Sequence, residues 1–148
     1  MATVHPYLMF DGKCKEAFEF YKNAFGKEFA DINFFGDMPP QEGTPPLTDA
    51  QKEMVMHVKL PISAETVLYG SDIFPGTPGF SAGDQFSVSI TADSRQEADS
   101  LFTKLSEGGN VTMPLADTFW GAYFGMWKDQ FGIDWMINYD DPSTDQTS

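Results

Sequence analysis

The chain has 148 residues and a mass of 16.5 kDa, the size of one domain able to bury about 68–70% of its unfolded surface. Hydrophobic residues at 41% and aromatics at 15%, with fourteen Phe, exclude disorder of the bulk chain. Nine Lys and Arg against 22 Asp and Glu leave a formal charge of −13, which repels a phosphate backbone and argues against nucleic-acid binding. No apolar run approaches the ~20 residues that cross a bilayer. Met1 to Pro6 lacks the basic and apolar regions of a signal peptide. One cysteine excludes an intrachain disulfide and a multi-thiolate metal site, so a cytoplasmic protein is expected.

Periodicity sets the elements. Val4 to Phe10 reads as a strand and Asp11-Gly12-Lys13 as a turn. Cys14 to Phe25 is a helix, because Cys14, Ala17, Phe18, Tyr21, Ala24 and Phe25 recur at three- and four-residue steps and form one stripe. Gly26 stands where a helix end favours a left-handed residue. Glu28 to Phe35 is a second strand. Gly36 to Gln51, with four prolines and two glycines, reads as a long loop. Met54 to Ile62 and Thr66 to Ser71 are strands, and Phe74 to Gly83 is a second Pro/Gly-rich loop.

Gln85 to Thr91 is the fifth strand. Ser94-Arg95-Gln96-Glu97 is a capping box opening a helix with the stripe Ala98, Leu101, Phe102 and Leu105, which Gly108-Gly109 stops. Asn110 to Leu115, Ala122 to Trp127 and Ile133 to Tyr139 are strands, and Asp140 to Ser148 is a polar tail. The order strand, helix, three strands occurs twice. The chain is therefore read as an α+β domain built from two βαβββ modules, about 1–76 and 77–148.

Strand parity separates two faces. Met54, Met56, Val58, Leu60 and Ile62 should meet a helix, as should Phe86, Val88 and Ile90, the set Val4, Leu8 and Phe10, and the set Ile133, Trp135 and Ile137. His5, Tyr7, Met9, Val55, His57, Lys59, Gln85, Ser87, Ser89, Asp134, Met136 and Asn138 face away. Tyr7 and Met9 suit a cleft better than bulk water. Cys14 lies in the buried stripe, which favours a structural thiol over a reactive one. No Gly-x-Ser-x-Gly elbow or phosphate-cradling loop is present in the sequence.

Several stretches resemble the vicinal-oxygen-chelate superfamily of glyoxalase I, bleomycin-resistance proteins and extradiol dioxygenases, and within it the PhnB-like branch. They are His5-Pro6-Tyr7-Leu8, Ala17-Phe18-Glu19-Phe20-Tyr21, Phe35-Gly36-Asp37-Met38-Pro39-Pro40, Met56-His57, Gly70-Ser71-Asp72, Met113-Pro114-Leu115, Thr118-Phe119-Trp120-Gly121 and Asp129-Gln130-Phe131-Gly132-Ile133-Asp134-Trp135. The resemblance implies a U-shaped mixed sheet with helices on its convex side, a ligand in the concave side and a homodimer. Similar chains often carry the name of a demethylubiquinone methyltransferase. This chain has neither the glycine-rich turn nor the alternating β/α order of the doubly wound methyltransferases.

The resemblance also implies four cleft positions for metal ligands. His5 matches the first. The second falls at Leu68 or Tyr69, the third near Gln85 or Phe86, and the last at Met136, with Asp134 two residues away on the same face. A thioether is a poor ligand for hard or borderline divalent ions, and a catalytic zinc wants three protein ligands. A site without the usual catalytic metal is the expectation; His5, Gln85 and Asp134 are the candidate ligands should a divalent metal bind. The implied protein binds a small organic molecule in an aromatic cleft. His5 and His57 are the candidate catalytic residues, and Tyr7, Ser71, Asp72, Gln85, Trp120, Phe124 and Met136 the candidate ligand contacts. The alternatives are a metal-dependent glyoxalase-type lyase, isomerase or dioxygenase, and a drug-sequestering protein. No nucleic-acid or membrane partner is expected.

Overall fold

In a computed structural model the chain is described over residues 4–39, 43, 45–75, 77, 80–81, 83 and 86–140. It divides into two compact units, Met1–Ser81 and Ala82–Ser148.

The first unit runs β1 (Tyr7–Phe10), α1 (Cys14–Phe25), β2 (Asp31–Phe34), α2 (Asp49–Lys52), β3 (Val55–Pro61) and β4 (Val67–Asp72). The stripe of α1 behaves as its spacing predicts: Cys14, Ala17, Phe18, Tyr21 and Ala24 are buried, and Gly26 closes the helix at φ +67°. The four strands make a mixed sheet in the order β1-β4-β3-β2, with β1 parallel to β4 and the other pairs antiparallel. Phe18 packs so closely on β4 that a Cβ at Gly70 would lie 2.4 Å from its ring.

The second unit repeats this order with β5 (Val88–Thr91), α3 (Arg95–Ser106), β6 (Asn110–Asp117), β7 (Ala122–Lys128) and β8 (Asp134–Asp140). Its sheet is β5-β8-β7-β6, again with the outer first strand parallel to the last. Ala98, Leu101 and Leu105 of α3 are buried with Trp127, Trp135 and Ile137, and Phe102 meets Trp127 edge-on at 5.2 Å. Both βαβββ modules therefore form, as α+β sheets carrying their helix on one face.

Four sequence expectations change. A β-bulge where β2 pairs β3 moves the register between Asn33 and Phe34, so Val55, not Met54 or Met56, joins Val58 and Leu60 in the core. Val4 is 95% exposed and Phe86 83% exposed, because β1 and β5 start only at Tyr7 and Val88. Within the expected 36–51 loop, a 3-10 turn extends over Phe35–Asp37, and Thr48 caps α2 reciprocally with Gln51. Ser94 caps Glu97 N–H on α3, but the Glu97 carboxylate reaches one residue further, to Asp93 N–H. The Asp141–Ser148 part of the expected tail, with Gly76, Pro78, Gly79 and Ala82 of the second loop, lies outside the described residues.

Candidate functional site

The first sheet presents two unlike faces. On the α1 side lie Phe10, Val55, Val58, Leu60, Leu68 and Gly70. On the opposite side, register brings together residues distant in sequence: Tyr7 stands beside Tyr69, Tyr69 beside Lys59, and His57 beside Asn33. Tyr7 and Tyr69 lie nearly parallel, 9° apart with centroids at 6.3 Å. His57 is tilted against both, at 6.4 and 5.8 Å, and His5 meets Tyr69 edge-on at 5.8 Å. The two histidines of the chain thus share one four-ring cluster. Tyr7 remains 49% exposed, so the cluster is an open aromatic face.

His5 has a defined tautomer. Its Nδ1 accepts the Val67 backbone N–H at 3.3 Å. An accepting Nδ1 carries no proton, so the neutral ring carries it on Nε2 and presents an N–H donor. Next to this cluster the buried Ser71 hydroxyl donates to the Met9 sulfur at 3.5 Å.

Asp72, grouped with Ser71 in the sequence reading, points the other way. Adjacent strand residues face opposite sides, and Asp72 is 3% exposed on the core side. One carboxylate oxygen accepts Cys14 N–H at 3.0 Å and the other Val55 N–H at 2.9 Å. It is a structural clamp on the start of α1, whose own N-cap residue, Lys13, makes no side-chain capping bond. The expected ligand contact at Asp72 is corrected accordingly. Burial, then the nearby Asp72 charge, push the Cys14 thiol far above its ordinary range, which fits a structural cysteine.

In the second unit, Trp120 sits on the Thr118–Gly121 turn between β6 and β7, 55% exposed, with Phe119 at 5.0 Å and Phe124 at 6.0 Å. Met136 and Asp134 share the β8 face opposite Trp135 and Ile137, which are buried. Trp135, stacked on Trp127 at 6.1 Å, is a core residue as its parity predicts. Asp134 is paired with Lys128 at 3.0 Å. Across α3, Arg95 lies over the Tyr123 ring at 4.1 Å and pairs with Asp117, while the Tyr123 hydroxyl donates to Asp99. That bond is the first cause raising the Tyr123 pKa. Gln85 lies outside the described residues.

The described candidates do not fit a divalent metal. The Nδ1 of His5 is engaged by the Val67 N–H, Asp134 is paired with Lys128, and Met136 offers only a thioether. Among the described residues no group of three His, Cys, Asp or Glu could hold an ion. Tyr69 is the member of the aromatic face that sequence reasoning left out of the ligand contacts. The alternation Val67, Tyr69, Ser71 against Leu68, Gly70, Asp72 is the signal that would have found it.

Two βαβββ modules with these sheet orders make the fold of a glyoxylase/bleomycin resistance protein/dioxygenase domain from Frankia sp. EAN1pec, similar at TM-score 0.66 and 10% identity over 96% of this chain and 93% of that one. Residues 2–138 match the family described as 3-demethylubiquinone-9 3-methyltransferase, and the chain belongs to that family. It is 38% identical to protein PA1353 from Pseudomonas aeruginosa, with TM-score 0.81 over 95% of this chain and 98% of that one. It is 29% identical to protein YjdN of Escherichia coli (strain K12), over 90% of this chain and 92% of the relative. A PhnB protein from Bacillus cereus, described as a putative 3-demethylubiquinone-9 3-methyltransferase, is 24% identical with TM-score 0.72, covering 93% and 99%. Among the described residues no helix is long and apolar enough to cross a membrane.

Proposed function

We propose that this PhnB-like protein binds a small planar organic molecule against the aromatic face of its first sheet, without a resident divalent metal. The observation that carries this reading is the cluster of His5, Tyr7, His57 and Tyr69, with the His5 Nε2–H available as a donor to a ligand oxygen. Stacked rings supply apolar area and prefer a flat partner, while one placed donor fixes its orientation. The charge of −13 favours a neutral or cationic molecule over a polyanion. On the second sheet, Trp120, Phe124 and Met136 remain candidate contacts.

Methyl transfer is not part of this reading. Neither module has the alternating parallel β/α order that places a nucleotide-like cofactor at a glycine-rich turn. A second reading, acid–base catalysis of glyoxalase type, is favoured by the placement of both histidines against Tyr69.

The test uses the two histidine ring signals in NMR as reporters during a screen of planar aromatic molecules. A true ligand shifts both, and Tyr69→Leu weakens it about ten-fold or more, the loss of one stacked aromatic contact with its buried area. A ligand that leaves both histidine signals in place overturns the site. For the catalytic reading, His5→Ala abolishes turnover while the fold persists; unchanged kinetics removes His5 from the chemistry.

A further inference from the structure

The face of the second sheet opposite α3 carries a feature distinct from the four-ring cluster of the first sheet, sharing only Met136 and the neighbouring Phe124 with the candidate ligand contacts. Met113 on β6 is the direct partner of Met126 on β7, and Met126 the direct partner of Met136 on β8. Three methionines therefore stand in one row across three adjacent strands, where directly opposed Cβ atoms lie about 4.5–5.5 Å apart.

The row does not follow from simple alternation. Val111 pairs Trp127, so an uninterrupted ladder would set Met113 opposite Gly125, on the α3 side. The register instead slips between Val111 and Met113 and again between Met113 and Ala116. Bulges of this kind re-aim a side chain, and here they turn Met113 into the Met126 row. Core packing does not demand the row: Met113 is 40% exposed, Met126 and Met136 are half-buried, and Trp127, Trp135 and Ile137 fill the α3 side.

We propose that Met113, Met126 and Met136 form a binding site for a soft monovalent metal ion, Cu(I). The donors are three neutral, polarisable thioethers on flexible side chains, which select Cu(I) and not the hard or borderline divalent ions. Direct pairing sets the two outer methionines one strand away on either side of Met126. Phe124, two residues along β7 on the same face, borders the row, and an aromatic ring beside a cation adds attraction. The ion keeps its single positive charge on neutral ligands, a state favoured by a chain of charge −13. No electron transfer is involved. The site lies on the second sheet; it shares Met136 and Phe124 with the candidate ligand contacts, and the histidine ring signals report the aromatic face separately.

The test titrates the full chain with Ag(I), a redox-inert probe of Cu(I) sites, and follows the methyl signals of its eight methionines. Anaerobic competition with a Cu(I) chelator gives the affinity. Three methyl signals move together and saturate at one ion per chain, and Met126→Leu removes them from the response. Changes in the outer shell of a metal site alone cost about 10–100-fold in affinity, so loss of this central ligand weakens binding at least about ten-fold. Met113→Leu, at an exposed position, does the same and guards against misfolding of the first variant. Met54→Leu, in the first unit, leaves the affinity unchanged. Binding that survives both methionine variants, that moves other methionines equally, or that never saturates overturns the proposal.

Discussion

Asp72 is the residue whose loss tests the first module most directly. Both of its oxygens accept buried backbone N–H groups, from Cys14 at 3.0 Å and Val55 at 2.9 Å, and the residue is 3% exposed. Asp72→Ala leaves two buried donors without an acceptor, at about 1–3 kcal/mol each, so the variant should lose roughly 2–6 kcal/mol. Asp72→Asn retains one acceptor oxygen and should lose roughly half of that, about 1–3 kcal/mol. The measurement is urea unfolding followed by circular dichroism, with the slope checked for constancy so that the midpoint shift converts to free energy. Ser71→Ala is the control. It removes only a hydroxyl–sulfur contact one residue away on the opposite face and should cost less than about 1 kcal/mol. A loss in Asp72→Ala no larger than that of Ser71→Ala would refute the clamp, and with it the assignment of Asp72 to structure.

Two further outcomes follow from the same module. Gly70→Ala places a Cβ 2.4 Å from a Phe18 ring atom and 3.1 Å from the Leu8 carbonyl, so it should destabilise by about 1–3 kcal/mol through overpacking; an unchanged unfolding midpoint would show that Phe18 has room to move. The Cys14 thiol is raised above its ordinary value of 9.0 by burial and then by Asp72. The folded state therefore holds its proton when the unfolded state releases it. Stability present below pH 9 should fall as pH rises beyond it, by about 1.4 kcal/mol per unit more steeply than in Cys14→Ala. Equal slopes in the two proteins would refute it.

The helices were legible because a helix stripe repeats often enough to outvote one misplaced residue. Only Phe25 of the α1 stripe falls short of full burial. Strands are shorter, so a single irregularity changes the answer. The bulge at Asn33 and Phe34 exchanged the faces of Val55 and Met56. A period of two has no memory across such a slip. The aromatic face was legible in part: parity alone put His5, Tyr7, Met9 and His57 together. Tyr69 enters the sequence reading only as an alternative to Leu68 for the second metal position, although its alternation with Leu68 and Gly70 is visible. Asp72 was misplaced because a carboxylate beside a serine at a strand end suggests a ligand. Its partners, Cys14 and Val55, are 58 and 17 residues away, and no local pattern encodes a cap from that distance.

The two modules share a topology but close it differently. Helix α3 begins at Ser94, whose own hydroxyl caps Glu97 N–H. Helix α1 follows Lys13, whose side chain cannot accept a hydrogen bond, and draws its capping acceptor from the end of β4. In the second module a buried carboxylate serves a different junction: Asp129 accepts Phe131 and Ile133 N–H and the Trp135 indole, fastening the β7–β8 turn. Each buried acid is thus committed to backbone or core donors on its own module and is not free for a ligand. The faces that the two sheets turn from their helices differ in chemistry. The first carries aromatic rings and both histidines, while the second carries thioethers in register. Two modules of one topology thus turn unlike surfaces away from their helices.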